Sequence, residues 1–159
     1  MSDVKRVDTQ MAALAYQVLG EEVTGEVRTR MRQLPGRLRG GGLTATYVYL
    51  HNHSGTGNDV ERAYGALARA IADHVAGHRL IPGGPAQMTP TVFLQQLTTI
   101  SPTTYTRISL QIEALAGWLS RLATALAPPP PSMTTKGGDS GGQEEHQGQD
   151  RRPRSGDHG

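Results

Sequence analysis

The chain has 159 residues and no cysteine, which excludes a disulfide framework, a thiol nucleophile and the cysteine-ligated zinc sites. Its 16 Lys and Arg against 14 Asp and Glu give a net charge of +2, so it is not a strongly basic protein overall. The N-terminus is polar and no run approaches the roughly 18 apolar residues of a membrane span, so we expect a cytoplasmic protein with no membrane partner.

Composition changes at Pro128 and divides the chain into two predicted parts. Residues 1–127 mix apolar and polar residues and are expected to form a single helical domain. Residues 128–159 begin with consecutive prolines and continue with glycine, serine, glutamine and charged residues. Because such a segment buries too little apolar surface to offset its ordering entropy, it is predicted to be a disordered tail.

Apolar residues spaced by three and four positions predict a first helix over residues 4–18, which Gly20 should end. A second helix is expected over residues 26–34. Pro35 should kink this helix or begin a new turn, since a proline inside a helix removes a hydrogen bond and clashes with the preceding turn. The glycines at 40–42 should then supply a C-terminal stop.

The segment 43–50 is ambiguous in its sequence. Its threonine, tyrosine and valine residues favour a strand by propensity. A lone strand would have no partner elsewhere in the chain, and its buried backbone groups would be left without hydrogen bonds. We therefore predict a buried helix here.

Capping side chains mark the remaining helix starts. Asn58 with Glu61 predicts the start of a helix that continues to about Leu80, and Thr89 and Ser101 each precede a proline at the first helical position. Apolar residues spaced by three and four positions predict the last helix. Its stripe consists of Tyr105, Ile108, Ile112, Leu115, Leu119, Leu122 and Leu126. The chain is thus predicted to be all-α, a compact single-domain bundle of about six helices.

Residues 28–50 concentrate positive charge in the predicted domain. Five arginines fall between Arg28 and Arg39 with no acidic residue among them. Guanidinium groups stay charged and can bind two phosphate oxygens at once, so this pattern predicts a surface that holds phosphate. The competing interpretation is a solvated helix face beside unrelated glycines.

Neither a catalytic site nor a metal site is predicted. His74 and His78 have the spacing of a chelating pair on a helix, but no glutamate lies between them as in a zinc protease. Nothing in the sequence brings His51 and His53 to that pair. Trp118 lies beside the stripe of the last helix, where a core or interface position is favoured over base stacking.

Two segments resemble the small subunit of the type III-B CRISPR effector, the fifth protein of the Cmr complex. QLPGRLRGGGLTATYVYL is similar to that family's Leu-Pro-x-x-Ile-Arg-x-Asn-Gly-Leu pattern and the helix after it, although Gly41 stands where asparagine is usual. YTRISLQIEALAGWLSRLA is similar to the family's last helix, which carries Tyr, Arg and a Trp-Leu pair in this order. The matching positions are Leu34, Pro35, Leu38, Arg39, Gly42 and Leu43 in the first segment and Tyr105, Arg107, Trp118, Leu119 and Arg121 in the second.

The resemblance implies a non-catalytic, all-helical subunit with no cofactor and no small-molecule substrate. Several copies would stack along the guide-RNA filament, contact the backbone and large subunits and one another, and help to hold target RNA in antiviral defence. On a helix Arg30 should point away from Arg28 and Arg32. The candidate RNA contacts are Arg28, Arg32, Arg37, Arg39 and Arg107.

Two other functions stay open on the sequence alone. A free-standing helical nucleic-acid-binding regulator would use residues 33–42 as a helix-turn-helix corner, although three adjacent glycines would make a loose turn. A metal-dependent hydrolase would use the histidines. Co-purification with RNA and partner proteins separates the first from the CRISPR subunit, and metal analysis addresses the second.

Overall fold

A computed structural model describes residues 2–129, with side chains described from residue 5 onward. Within that range the chain is all-α, as predicted, and no strand is present. The five helices are α1 (Ser2–Leu19), α2 (Gly25–Asn52), α3 (Asp59–Gly77), α4 (Pro90–Leu97) and α5 (Pro102–Leu126). None of these five combines the length and the apolar character that a bilayer crossing requires. Of the tail predicted over residues 128–159, residues 130–159 lie outside the described residues.

Helix α2 differs most from its prediction. The backbone keeps helical dihedral angles through Pro35, and the interruption lies instead at Gly42, with φ 83° and ψ 175°. The predicted stop at residues 40–42 is therefore a one-residue break without a loop, and the segment 43–50 is a buried helix as predicted. This break divides α2 into two helical segments, 25–41 and 43–52, which accounts for the larger number of helices expected from the sequence.

The break at Gly42 needs glycine, because a positive φ with ψ near 180° is a region that residues with a Cβ scarcely enter. It also exposes backbone donors, since the first N–H groups of the second segment have no partner within their own helix. Tyr105 of α5 supplies one partner. Its Oη accepts a hydrogen bond from the Thr44 backbone N–H at 3.1 Å and lies 3.1 Å from Thr44 Oγ1. Helix α5 thus fixes the start of the second segment.

The core lies between α5 and the helices that pack on it, chiefly α1 and α2. The apolar stripe of α5 is buried from Ile108 to Leu119, as its spacing predicts, and half-buried at Tyr105, Leu122 and Leu126. Trp118, half-buried on α5, donates from Nε1 to Asp8 Oδ1 of α1 at 2.8 Å and so joins the two helices. The fully or nearly fully buried residues of α1 and α5 are Met11, Ala15, Ile108, Ile112, Leu115, Ala116, Leu119 and Ala123.

Tyr47 anchors the second segment of α2 in this core. Its ring is fully buried and meets the Phe93 ring of α4 edge to face, with centroids 4.8 Å apart. Its hydroxyl donates to the Ala68 carbonyl of α3 at 2.5 Å, and burial raises its pKa, with the Asp73 charge adding to the rise. These contacts with two other helices explain why a segment rich in strand-favouring residues is helical.

The predicted caps of α3, α4 and α5 are confirmed. Asn58 Oδ1 accepts from the Glu61 N–H at 2.9 Å, and Glu61 Oε2 accepts from the Gly57 N–H at 2.8 Å. Thr89 and Ser101 each accept from the backbone N–H three residues later. Asn58, Thr89 and Ser101 each satisfy a backbone donor that the helix itself leaves unpaired, and Glu61 binds the chain just before its helix.

Candidate nucleic-acid interface

The helix that continues through Pro35 sorts the arginines of α2 into two sets. At about 100° per residue, Arg28, Arg32 and Arg39 project in nearly the same direction. Arg30 and Arg37 are seven residues apart and project together on the opposite flank. Between the flanks lies the buried face of this segment, formed by Val27, Met31, Leu34 and Leu38. The continuous helix therefore places Arg37 with Arg30 and not beside Arg28, Arg32 and Arg39. That Arg37 contacts RNA stays a prediction.

We call Arg28, Arg32 and Arg39 the arginine flank. Arg32 and Arg39 are exposed, and Arg28 is half-buried and donates from Nη1 to the Pro128 carbonyl at 3.1 Å. Among the side chains of residues 5–129 the one ion pair joins Arg62 and Asp59. No carboxylate in that range therefore pairs with the arginine flank, and its guanidinium groups can bind an anionic ligand.

The opposite flank joins a cation to a series of aromatic rings. The Arg37 Cζ atom lies 3.8 Å from the centroid of the Tyr49 ring, and the Tyr49 ring stacks on His53 with centroids 4.1 Å apart and planes at 29°. Arg37 and His53 must cover opposite faces of Tyr49, because both lie about 4 Å from the same ring. Residues on both sides of Gly42 meet here, so the two segments of α2 turn back toward each other.

Tyr64 of α3 closes the inner side of this stack. Its buried ring meets Tyr49 edge to face, with centroids 5.6 Å apart. Burial raises the pKa of Tyr64 and the adjacent Tyr49 hydroxyl raises it further, whereas the charges of Arg30 and Arg37 oppose the rise. We call these five residues, Arg30, Arg37, Tyr49, His53 and Tyr64, the aromatic flank.

A hollow of about 280 Å³ opens beside the aromatic flank. It lies between the two ends of α2 and the start of α3, so side chains from both segments of α2 and from α3 form its wall. The lining residues are Glu26, Arg30, Tyr49, Asn52, His53, Ser54, Asn58, Val60, Glu61 and Tyr64. Cationic, aromatic and amide groups thus meet in one open pocket.

The positions that carry the family resemblance are mostly structural. Leu34 and Leu43 are buried core residues, and the Tyr105 hydroxyl fixes the segment after Gly42. Arg121 covers the Trp118 ring with its Cζ atom 4.8 Å from the ring centroid. The hydrogen bonds between Tyr105 and Thr44 bring the two similar segments into direct contact. Arg107 is exposed near the start of α5, away from the arginines of α2 in sequence.

The histidines do not form a shared site. His74 and His78 have ring centroids 4.3 Å apart, and His74 Nε2 lies 2.8 Å from Gln111 Oε1. His53 belongs to the aromatic flank instead. In the part of the chain that the structure describes, no group of three or more His, Asp or Glu side chains is placed to hold a metal ion.

Burial lowers the pKa of His74, and His78 lowers it further, although the hydrogen bond to Gln111 acts in the opposite direction. The folded state therefore binds a proton less readily than the unfolded chain, whose histidine titrates near pH 6.5. The stability from neutral His74 should be complete above this pH and fall on acidification. We expect the free energy of unfolding to decrease between pH 7 and pH 5, by at most about 1.4 kcal/mol per pH unit from this group.

Urea unfolding at a series of pH values checks this expectation. In His74→Gln the free energy of unfolding should decrease less between pH 7 and pH 5 than in wild type. His78→Gln changes an exposed neighbouring histidine and should largely retain the decrease. If the free energy of unfolding of His74→Gln decreases between pH 7 and pH 5 as steeply as in wild type, other groups control the pH dependence.

Sequence analysis did not find the aromatic flank. The four-residue spacing of Tyr49 and His53 on one helix was a usable signal for that pair. The contact between Arg37 and Tyr49 left no such signal, because it depends on the reversal of the chain at Gly42.

No protein-family model matches the sequence, and no match is found among curated proteins or among solved structures. The likeness to the small subunit of the Cmr complex thus rests on the two segments described above.

Proposed function

We propose that the chain is a non-catalytic subunit of a type III-B CRISPR effector ribonucleoprotein and helps to hold target RNA beside the guide strand. The arginine flank carries this proposal. It places three guanidinium groups on one side of a single helix, and among the described side chains of residues 5–129 no carboxylate pairs with them. Such a surface attracts a phosphate backbone and releases counterions when it binds one.

The dimensions of the arginine flank suit a nucleic-acid strand. Arg39 lies eleven residues after Arg28, which is about 16 Å along a helix at 1.5 Å per residue. At about 3.4 Å per stacked nucleotide, this length matches roughly five nucleotides. Contacts between guanidinium and phosphate carry no base information, so binding should be indifferent to sequence. That property suits a complex in which base pairing with a guide supplies specificity.

The all-α fold and the contact between the two similar segments support the same proposal. Tyr105 lies in one segment and Thr44 in the other, and their hydrogen bonds join α5 to the break in α2. In this proposal the partners are the backbone and large subunits, neighbouring copies of this chain, and guide and target RNA. Arg107 of α5 is a further candidate contact. The chemistry of RNA cleavage belongs to other subunits.

Co-purification distinguishes this function from a free-standing regulator. The tagged chain should be expressed together with the products of its neighbouring genes, purified, and analysed for protein and nucleic acid with and without ribonuclease treatment. A complex that contains RNA and several partner proteins is the expected result. A chain that purifies alone as a self-contained dimer, free of RNA, would contradict the proposal and favour the regulator.

A further inference from the structure

We propose that the aromatic flank binds one unpaired RNA base, stacked on the free face of His53, with the adjoining phosphate at Arg30. This inference rests on the proposed function and adds to it a second kind of RNA contact. The arginine flank on the other side of α2 would hold the backbone, and this site would hold a base.

The order of the stack shows where a base can enter. Arg37 covers one face of Tyr49 and His53 covers the other, so neither face of the tyrosine is free. The His53 side chain is exposed and lines the hollow, so its outer face is the open end of the stack. Unpaired bases in RNA complexes stack on aromatic and histidine side chains in this way.

The His53 ring is held in place before any ligand binds. Its Nδ1–H donates to the Tyr49 backbone carbonyl at 2.9 Å, which fixes the orientation of the ring. Tyr49 is fixed in turn by Arg37 on its face and Tyr64 at its edge. A stacking surface that is already ordered loses little conformational entropy when a base binds.

The wall of the hollow favours a neutral base over a phosphate. Glu26 and Glu61 contribute carboxylates, which repel a phosphate inside the hollow, while Asn52 offers an amide that can bond a base edge. Arg30 lines the same hollow and is exposed, so a phosphate outside the carboxylates can reach it. The volume of about 280 Å³ is near the lower end of ligand sites, about 300–1,000 Å³. It therefore suits a single nucleotide.

The test uses the full-length protein and a short single-stranded RNA that carries one 2-aminopurine, whose fluorescence is quenched by stacking. Wild type should quench this fluorescence at saturating protein. His53→Ala should weaken binding about 5- to 150-fold and abolish the quenching, since a stacked base contributes about 1–3 kcal/mol. Arg30→Ala should also weaken binding, and His53→Tyr should restore quenching because it keeps a ring at this position.

Matched controls come from the same helix. Arg32→Ala changes an arginine two residues away on the other flank, and His51→Ala changes a histidine outside the hollow. Arg32→Ala should weaken binding but leave quenching at saturation unchanged, and His51→Ala should change neither. Melting curves of all variants verify that they fold.

The possible results separate this inference from the proposed function. If His53→Ala binds and quenches as wild type does while arginine-flank variants lose affinity, the base site is wrong and the RNA-holding function stands. If wild type binds the RNA without quenching, the base site is likewise wrong. If neither the free chain nor its purified complex binds RNA, the proposed function fails together with the inference.

Discussion

Replacing Arg28, Arg32 and Arg39 together by alanine is expected to lower the log–log slope of RNA binding against salt concentration by about 2. Each phosphate contact on a single strand contributes about 0.7 to this slope through counterion release. Affinity at low salt should fall strongly and equally for unrelated sequences, because the flank contacts phosphates alone. Titrations of labelled RNA at several salt concentrations, with the free chain and the assembled complex, measure both effects.

The control for this experiment removes positive charge elsewhere. Arg69 and Arg79 are exposed residues of α3 and the loop after it, and their alanine double variant should keep most of the slope. The Arg28→Ala single variant measures any cost of losing the bond to the Pro128 carbonyl. If the triple variant binds RNA normally and instead fails to associate with partner subunits, the arginine flank is a protein interface.

Gly42→Ala is expected to destabilise the fold by about 1–3 kcal/mol, because alanine scarcely enters the backbone region that this position occupies. A Cβ built at Gly42 has space, since the nearest atom outside its neighbours, Tyr105 Oη, is 3.7 Å away. The cost therefore comes from the backbone and not from a clash. Urea unfolding monitored by circular dichroism gives the free energy directly.

Gly40→Ala is the matched control for this substitution. Gly40 lies in helical geometry two residues earlier, and a Cβ there meets no atom within 4 Å. Alanine should stabilise the protein at this position by about 0.4–1 kcal/mol, since it restricts the unfolded chain. Equal stability of Gly42→Ala and Gly40→Ala would show that the break at Gly42 does not require glycine.

The helices and their starts could be predicted because their signals are local. The stripe from Ile108 to Leu119 and the caps at Asn58, Thr89 and Ser101 depend on residues within one or two turns of each other. The segment 43–50 could be predicted only by elimination, since a single strand has no partner. Its own residues favour a strand, and the packing of Tyr47 on Phe93 stabilises the helix instead.

The course of α2 could not be predicted, because it depends on competing energies that the sequence does not rank. A proline inside a helix costs about 3 kcal/mol. Met31, Leu34 and Leu38 are all buried on the same face, and each contributes about 1.5–3 kcal/mol on full burial. Packing therefore outweighs the proline, and the helix keeps its register through Pro35.

The positions of the arginines follow from this register. A break at Pro35 would have left the direction of Arg37 open, whereas the continuous helix places it with Arg30. The reversal at Gly42 then brings Arg37 onto Tyr49, twelve residues later in the chain. The charge of the candidate site was therefore predictable from composition, but its division into two flanks was not.

We propose that this chain contacts RNA inside a ribonucleoprotein through α2. Ultraviolet cross-linking of RNA in the purified complex, followed by mass spectrometry of the cross-linked peptides, tests this proposal. We expect cross-linked peptides from residues 28–53, from both the arginine flank and the aromatic flank. A complex that contains RNA but yields cross-links only in other subunits would contradict it.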